Sequence, residues 1–139
     1  MEFELRCDVS SLDLAKSGAI WGNVWVDFSG YPFPEEGWND MPAAFLVELF
    51  DAVSSAGRSK DLRRRVRFFD GPFWIDLTSR NGGLITIAAN AHGSNHEVTV
   101  SGSDVLRSVT AVCRELVRGC QERGWGEQMD VRRLQLHLP

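Results

Sequence analysis

The chain has 139 residues, 43% of them hydrophobic and 24% charged, with a net charge of −4 at neutral pH. These values fit one globular domain over 1–139 that closes a sizeable core without disulfides or metal. They exclude a general affinity for nucleic acid or anionic membrane, and no apolar run approaches the length of a membrane span.

The first stretch, MEFELRCDV, has neither a basic n-region nor an apolar h-region and does not read as a signal peptide. It alternates instead: Met1, Phe3, Leu5, Cys7 and Val9 against Glu2, Glu4, Arg6 and Asp8. That pattern predicts a strand over 1–9 with one wet face. Ser10 to Gly18 reads as a connection. Ile20 to Phe28 predicts a second strand, with Trp21 and Trp25 on the face opposite Ile20, Val24, Val26 and Phe28. That second face needs a cover, either the following loop or another molecule.

The loop from Ser29 to Asn39 leads into an apolar helix. Asn39 or Asp40 can accept from the free N–H groups of its first turn, and Pro42 suits that turn because its missing N–H costs nothing there. Phe45, Leu46, Leu49, Phe50 and Val53 then recur at helical spacing. Gly57 is expected to end the helix in the left-handed conformation. After a polar link come four predicted strands: Leu62 to Phe69, Phe73 to Thr78, Leu84 to Ala89, and one marked by His96, Val98 and Val100. The turns between them, Asp70-Gly71-Pro72, Asn81-Gly82 and His92 to Asn95, are short enough to force antiparallel neighbours. The last long element is an amphipathic helix with Ser103 as N-cap. Val105, Leu106, Val109, Val112, Cys113, Leu116, Val117 and Cys120 form its stripe, and Gly124 ends it. Asp130 to Leu138 suits a short terminal helix. The expected fold is α+β in two layers, a single antiparallel sheet of about six strands covered by two amphipathic helices.

Candidate chemistry is sparse. Three cysteines, Cys7, Cys113 and Cys120, form no CxxC pair and lie on apolar faces. They read as core residues of a protein from a reducing cytoplasm. His92 and His96 straddle a turn without a third ligand, so a polar hairpin is the reading and no metal or cofactor is assigned. Glu35, Glu36, Asp40, Asp70 and Asp76 can serve acid–base catalysis only if the fold converges them. No phosphate-binding or nucleophile motif is present. The strongest electrostatic feature is Arg58 to Arg67, with six basic residues and one acid, a local +5 that leaves −9 for the rest of the chain. Arg63, Arg65 and Arg67 line one face of the predicted strand. They read either as a solvated edge protected by charge or as a surface for phosphate or an acidic protein. Aromatic residues are not interleaved with the arginines, which argues against nucleic acid.

Two short motifs stand out, Phe33-Pro-Glu-Glu-Gly-Trp-Asn-Asp40 and Phe69-Asp-Gly-Pro-Phe73. The chain resembles a group of small bacterial proteins of unknown biochemical function that carry an FPxxxWxD loop before a helix and an FxDGP turn between strands. Phe68 or Phe69 supplies the phenylalanine of the turn motif, and the Gly124-Trp125 end of the second long helix is also similar. The resemblance implies a non-enzymatic role, that of an immunity protein encoded beside a bacterial toxin, and carries no catalytic residues with it. The expected binding residues are Trp38, Asn39, Asp40, Asp70 and Gly71 at the motifs, with Arg63, Arg65 and Arg67 on the basic strand. The expected partner is another protein, with homo-oligomerisation open; a small-molecule or anion-binding domain is the alternative, and an enzyme the third. The 33–40 loop is expected against the Asp70–Pro72 turn, with Asp40 capping the helix and the Asp70 carboxylate bracing the turn.

Overall fold

A computed structural model describes residues 2–58, 62–91 and 94–139. In chain order the elements are β1 (Phe3–Leu14), β2 (Ile20–Phe28), β3 (Tyr31–Phe33), β4 (Asn39–Asp40), α1 (Pro42–Ala56), β5 (Arg63–Arg67), β6 (Trp74–Ser79), β7 (Leu84–Ala89), β8 (Glu97–Ser101), α2 (Gly102–Glu122) and α3 (Met129–His137). The fold is α+β with antiparallel strands. The single six-stranded sheet is corrected to two sheets of four. One has the order β1-β2-β3 with β4 also on β2; the other runs β5-β6-β7-β8. Among the described residues no ladder joins them. β3 and β4 share one edge of β2, and their three and two residues are too short for any alternation to reveal.

The apolar faces of both sheets turn toward the helices. α1 packs on β2, β5 and β6, and α2 on β1 and β8, while α3 lies against both helices. The buried residues form one continuous hydrophobic cluster drawn from every long element. Nine residues of α1, from Pro42 to Ala56, are buried, which makes it the shared layer between the sheets. On α2 most of the predicted stripe is inside: Val105, Val109, Cys113, Leu116, Val117 and Cys120 are buried, while Leu106 and Val112 are partly buried against the core. Burial pushes the thiols of Cys7 and Cys113 up to about 12, so these are protonated core side chains.

Other expectations shift at element ends. The stretch Ser10 to Leu14, read as a connection, continues β1 past a register irregularity between Asp8 and Asp13. There Ser11 Oγ accepts from the Asn23 N–H at 2.8 Å, a side chain standing in for a ladder carbonyl. This extension also brings Asp13 opposite Trp21, as Arg6 lies opposite Trp25, so the half-buried tryptophans have neighbours on their own sheet. Gly57 ends α1 with φ −71°, in ordinary right-handed geometry. Ser101, not Ser103, caps α2, its hydroxyl accepting from the Asp104 N–H, because β8 runs into the helix without a loop. His92 lies outside the described residues. His96 packs among the rings of Phe28, Tyr31 and Phe33.

α3 is tied to α1 by a titratable pair. His137 Nδ1 lies 2.8 Å from the Arg133 carbonyl oxygen, which can only accept, and Nε2 lies 2.6 Å from Asp51 Oδ1. Both contacts suit the imidazolium, and its pKa is raised, first by the hydrogen bond to the Arg133 carbonyl and then by Asp51, against partial burial. A pKa raised on folding stabilises fully below the unfolded value near 6.5 and is lost as pH rises through the folded one. The thermal stability of the native chain should therefore exceed that of Asp51→Asn at pH below 6, and the gap should narrow as pH rises above 7. A gap that widens with pH would refute the pairing.

Candidate functional site

The two motifs meet through one carboxylate. Asp40 is 0% exposed and accepts four hydrogen bonds. Oδ1 takes the N–H of Met41 at 2.7 Å and of Phe69 at 3.1 Å; Oδ2 takes Trp38 Nε1 at 3.0 Å and the Asp70 N–H at 3.1 Å. A charge this deep persists only when its lone pairs are satisfied, and here they are satisfied by N–H groups alone. Asp40 is placed here by β4, which is held on β2 by pairing of Asp40 with Gly22 and of Asn39 with Asn23, while Trp38, just before β4, is tied to β2 by the Val24 N–H donating to its carbonyl at 2.8 Å. Asp40 thus spans the seam between the sheets, one side chain bonding the chain just beyond β5 where no ladder exists.

Aromatic rings complete the junction. Phe33 meets Phe68 and Phe73 edge-on at 5.9 and 5.7 Å, Trp38 meets Phe73 at 5.2 Å, and Phe45 of α1 stacks on Phe68 at 4.3 Å. Gly71 has φ +72°, and a Cβ there would fall 2.9 Å from two Phe73 ring atoms and 3.3 Å from Trp38 Cζ2, so only glycine fits beneath the indole. The 33–40 loop lies against the Asp70–Pro72 turn, as expected. Two roles inside it are corrected. Asp40 does not cap α1, whose N-cap Met41 makes no side-chain cap bond, because its carboxylate is drawn instead to the backbone at 69 and 70. Asp70 is exposed and takes part through its N–H; its carboxylate bonds no described residue. Asn39 faces solvent.

The basic strand forms an adjoining surface. Arg64 points inward and donates to Ser55 Oγ at 3.1 Å, which leaves Arg63, Arg65 and Arg67 on the outer face. Arg65 grips Asp76 across the ladder with two bonds of 2.8 and 3.2 Å, and its guanidinium lies 4.4 Å from the Trp74 ring; that of Arg67 lies 5.4 Å from the same ring. Trp74 is directly opposite Arg67 in the register. The aromatic partner of the arginines is therefore cross-strand, which spacing along the chain could not reveal. Its face is already covered by guanidinium and is not free to stack a base.

Between junction and strand stands Phe69. Phe68 fills the core, while Phe69, its N–H turned in to Asp40, holds its ring outward at 48% exposure. A hollow of about 500 Å³ lies on one side, lined by Glu48, Arg65, Arg67, Phe68 and Phe69. Another of about 220 Å³ lies on the other, lined by Met41, Ala44, Val47, Glu48, Phe69, Asp130 and Arg133. In the sequence the trace of this arrangement is the doublet Phe68-Phe69 just beyond β5, of which one ring is buried and the other exposed.

The remaining candidates are weaker. A hollow of about 560 Å³ lies between the end of α1, Gly82-Gly83 and the start of α2, with Arg58, Ser101 and Ser103 on its rim. The positive end of α2 is already met there by the Ser101 cap and Asp104. Among the described residues no group of three His, Cys, Asp or Glu side chains is placed to hold a metal. Of the acids considered for catalysis, Asp40 and Asp76 are committed to N–H donors and Glu35, Glu36 and Asp70 are exposed. Among the described residues no helix is long and apolar enough to cross a membrane. No family model, curated protein or solved structure matches the chain.

Proposed function

We propose that this chain is a non-enzymatic cytoplasmic protein-binding domain, an immunity-type inhibitor of a bacterial toxin, and that it binds through the surface centred on Phe69. The observation that carries the reading is a half-exposed phenylalanine, fixed from below by Asp40, between two hollows and beside Arg65, Arg67 and Trp74. Large aromatic and arginine side chains on a rigid base supply most of the energy at protein interfaces, because they bury much area and lose little freedom. The two sequence motifs support the same reading, since what they build is the base that holds Phe69 outward. The local +5 of Arg58 to Arg67 favours a partner with an acidic face.

The test is co-expression with the product of a toxin-like reading frame beside this gene. The native chain should neutralise the toxin and co-purify with it. Phe69→Ala and Arg67→Glu should each weaken the complex by about thirtyfold, the effect of a hot-spot residue, with the melting temperature unchanged. Failure to neutralise, or variants that bind as tightly as the native chain, would defeat the proposal.

A further inference from the structure

The edge of the second sheet beside Phe69 has a geometry that specifies its partner further. β5 is an outer strand of its sheet. The Phe68 N–H donates to the Phe73 carbonyl at 3.0 Å and the Ser79 N–H to the Leu62 carbonyl at 2.9 Å. In an antiparallel ladder the bonded residues alternate, so even-numbered positions face β6. The N–H and C=O groups of Arg63, Arg65 and Arg67 then point away from the sheet, and no described backbone group bonds them. The hollow of about 500 Å³ runs along this edge, with Glu48 of α1 as one wall and Arg65 and Arg67 as the other. Phe69 stands at its end.

We infer that β5 accepts an extended acidic segment of the partner protein as an added antiparallel strand; this rests on the protein-binding reading of the Phe69 surface. Strand addition takes affinity from main-chain bonds and specificity from alternate side chains. A residue directly opposite an arginine of β5 lies on the same face as that arginine, so the favoured segment carries an acid at every second position. Neither Arg63 nor Arg67 has an ion-pair partner among the described residues, and Arg65 uses only Nε and Nη2 on Asp76. The residues between the acids share the face of Val66 and Phe68, toward α1 and Glu48, where an apolar side chain is favoured and an acid is repelled. A second copy of this chain is disfavoured, because β5 against β5 would set arginine opposite arginine.

The probe is the heptapeptide Thr-Glu-Val-Glu-Val-Glu-Thr, titrated into the full-length chain with backbone amide exchange and chemical shifts as readouts. The peptide should bind at or below about 1 mM and slow exchange of the Arg63, Arg65 and Arg67 amides. Methylating the glutamate backbone nitrogens should weaken binding by about tenfold or more through lost main-chain bonds, while methylating the valine nitrogens, which face away, should leave it unchanged. Arg65→Ala should weaken binding and leave the remaining outward amides protected. If the glutamate-methylated peptide binds as well as its parent, association is purely electrostatic and strand addition is wrong, while the toxin complex and its loss in Phe69→Ala still judge the broader reading. No binding at about 1 mM also overturns it. So does an oligothymidylate that binds these arginines more tightly than the peptide, or a dimer of the chain that the peptide dissociates.

Discussion

Asp40→Asn is expected to destabilise the domain by about 3–5 kcal/mol, the range for removing one partner of a buried charged network. The carboxylate is fully buried and receives two N–H donors on each oxygen. An asparagine of nearly the same volume keeps one acceptor oxygen and turns its NH₂ toward two N–H groups. At least two buried donors lose their acceptor and two donors are pressed together. Three variants in urea denaturation separate this from bulk effects. Trp38→Phe removes one of the four donors and some indole packing, so a smaller loss of about 1–2 kcal/mol is expected. Asp70→Asn changes an exposed side chain while its N–H remains, and should stay within about 0.5 kcal/mol of the native chain. Equal losses for Asp40→Asn and Asp70→Asn would show that the Asp70 carboxylate braces the turn after all.

The pattern of what was legible follows from which forces act locally. α2 could be read almost residue by residue, because a stripe from Val105 to Cys120 is a local, periodic consequence of burying one face. β7 was read over Leu84–Ala89 because turn residues bound it on each side. The meeting of the Trp38 loop with the Gly71 turn could be anticipated, since both break alternation with residues that need special support. The division into two sheets could not. Alternation says which face a residue occupies, not which strand lies beside it, and here the two sheets are bridged by a side chain in place of a ladder. The role of Asp40 is hidden from the sequence for the same reason. An aspartate just before Pro42 suits a helix cap locally, and only tertiary structure supplies the competing N–H groups 29 and 30 residues away. Trp74 beneath the arginines and the outward turn of Phe69 depend on register and on that distant carboxylate.

This dependence separates what holds the domain from what it presents. Phe69 contributes its N–H to the junction and its ring to the surface. Truncating the ring leaves the N–H in place, so Phe69→Ala can report on binding with the base intact. Changing Asp40 removes the base, and any loss of binding there follows from misplacement of residues 69 and 70. Variants at Arg63 and Arg67 fall on the binding side of this line, since both are exposed and neither is ion-paired to a described residue. Arg65 is intermediate: its two bonds to Asp76 are partly exposed, and solvent screens such a pair, so it contributes little to stability.

Leu116→Ala should cost about 2–5 kcal/mol, the range for a buried leucine whose cavity only partly collapses. Leu116 is 0% exposed and lies mid-helix, where α2 is held from several sides by α1, β1, β8 and α3. Alanine gains a few tenths of a kcal/mol at most in helix propensity over leucine, far too little to offset the lost packing. The site should also resist collapse. Arg123 clamps α2 to β1, donating at 2.9 Å both to the Gly119 carbonyl and to the Val9 carbonyl, while a Cβ on Gly119 would collide with Val9 Cγ1. With helix and strand already in contact there, the backbone cannot move inward to fill the void, which places the expected loss in the upper half of the range. Glu115→Ala, one residue away and exposed, is the control and should change stability by no more than about 0.5 kcal/mol. For a chain of this size each kcal/mol lowers the melting temperature by about 2–4 °C, so the two variants are easily resolved in one thermal scan. A loss below about 1 kcal/mol for Leu116→Ala, or equal losses for both, would mean that α2 is not seated on β1 and β8 as described.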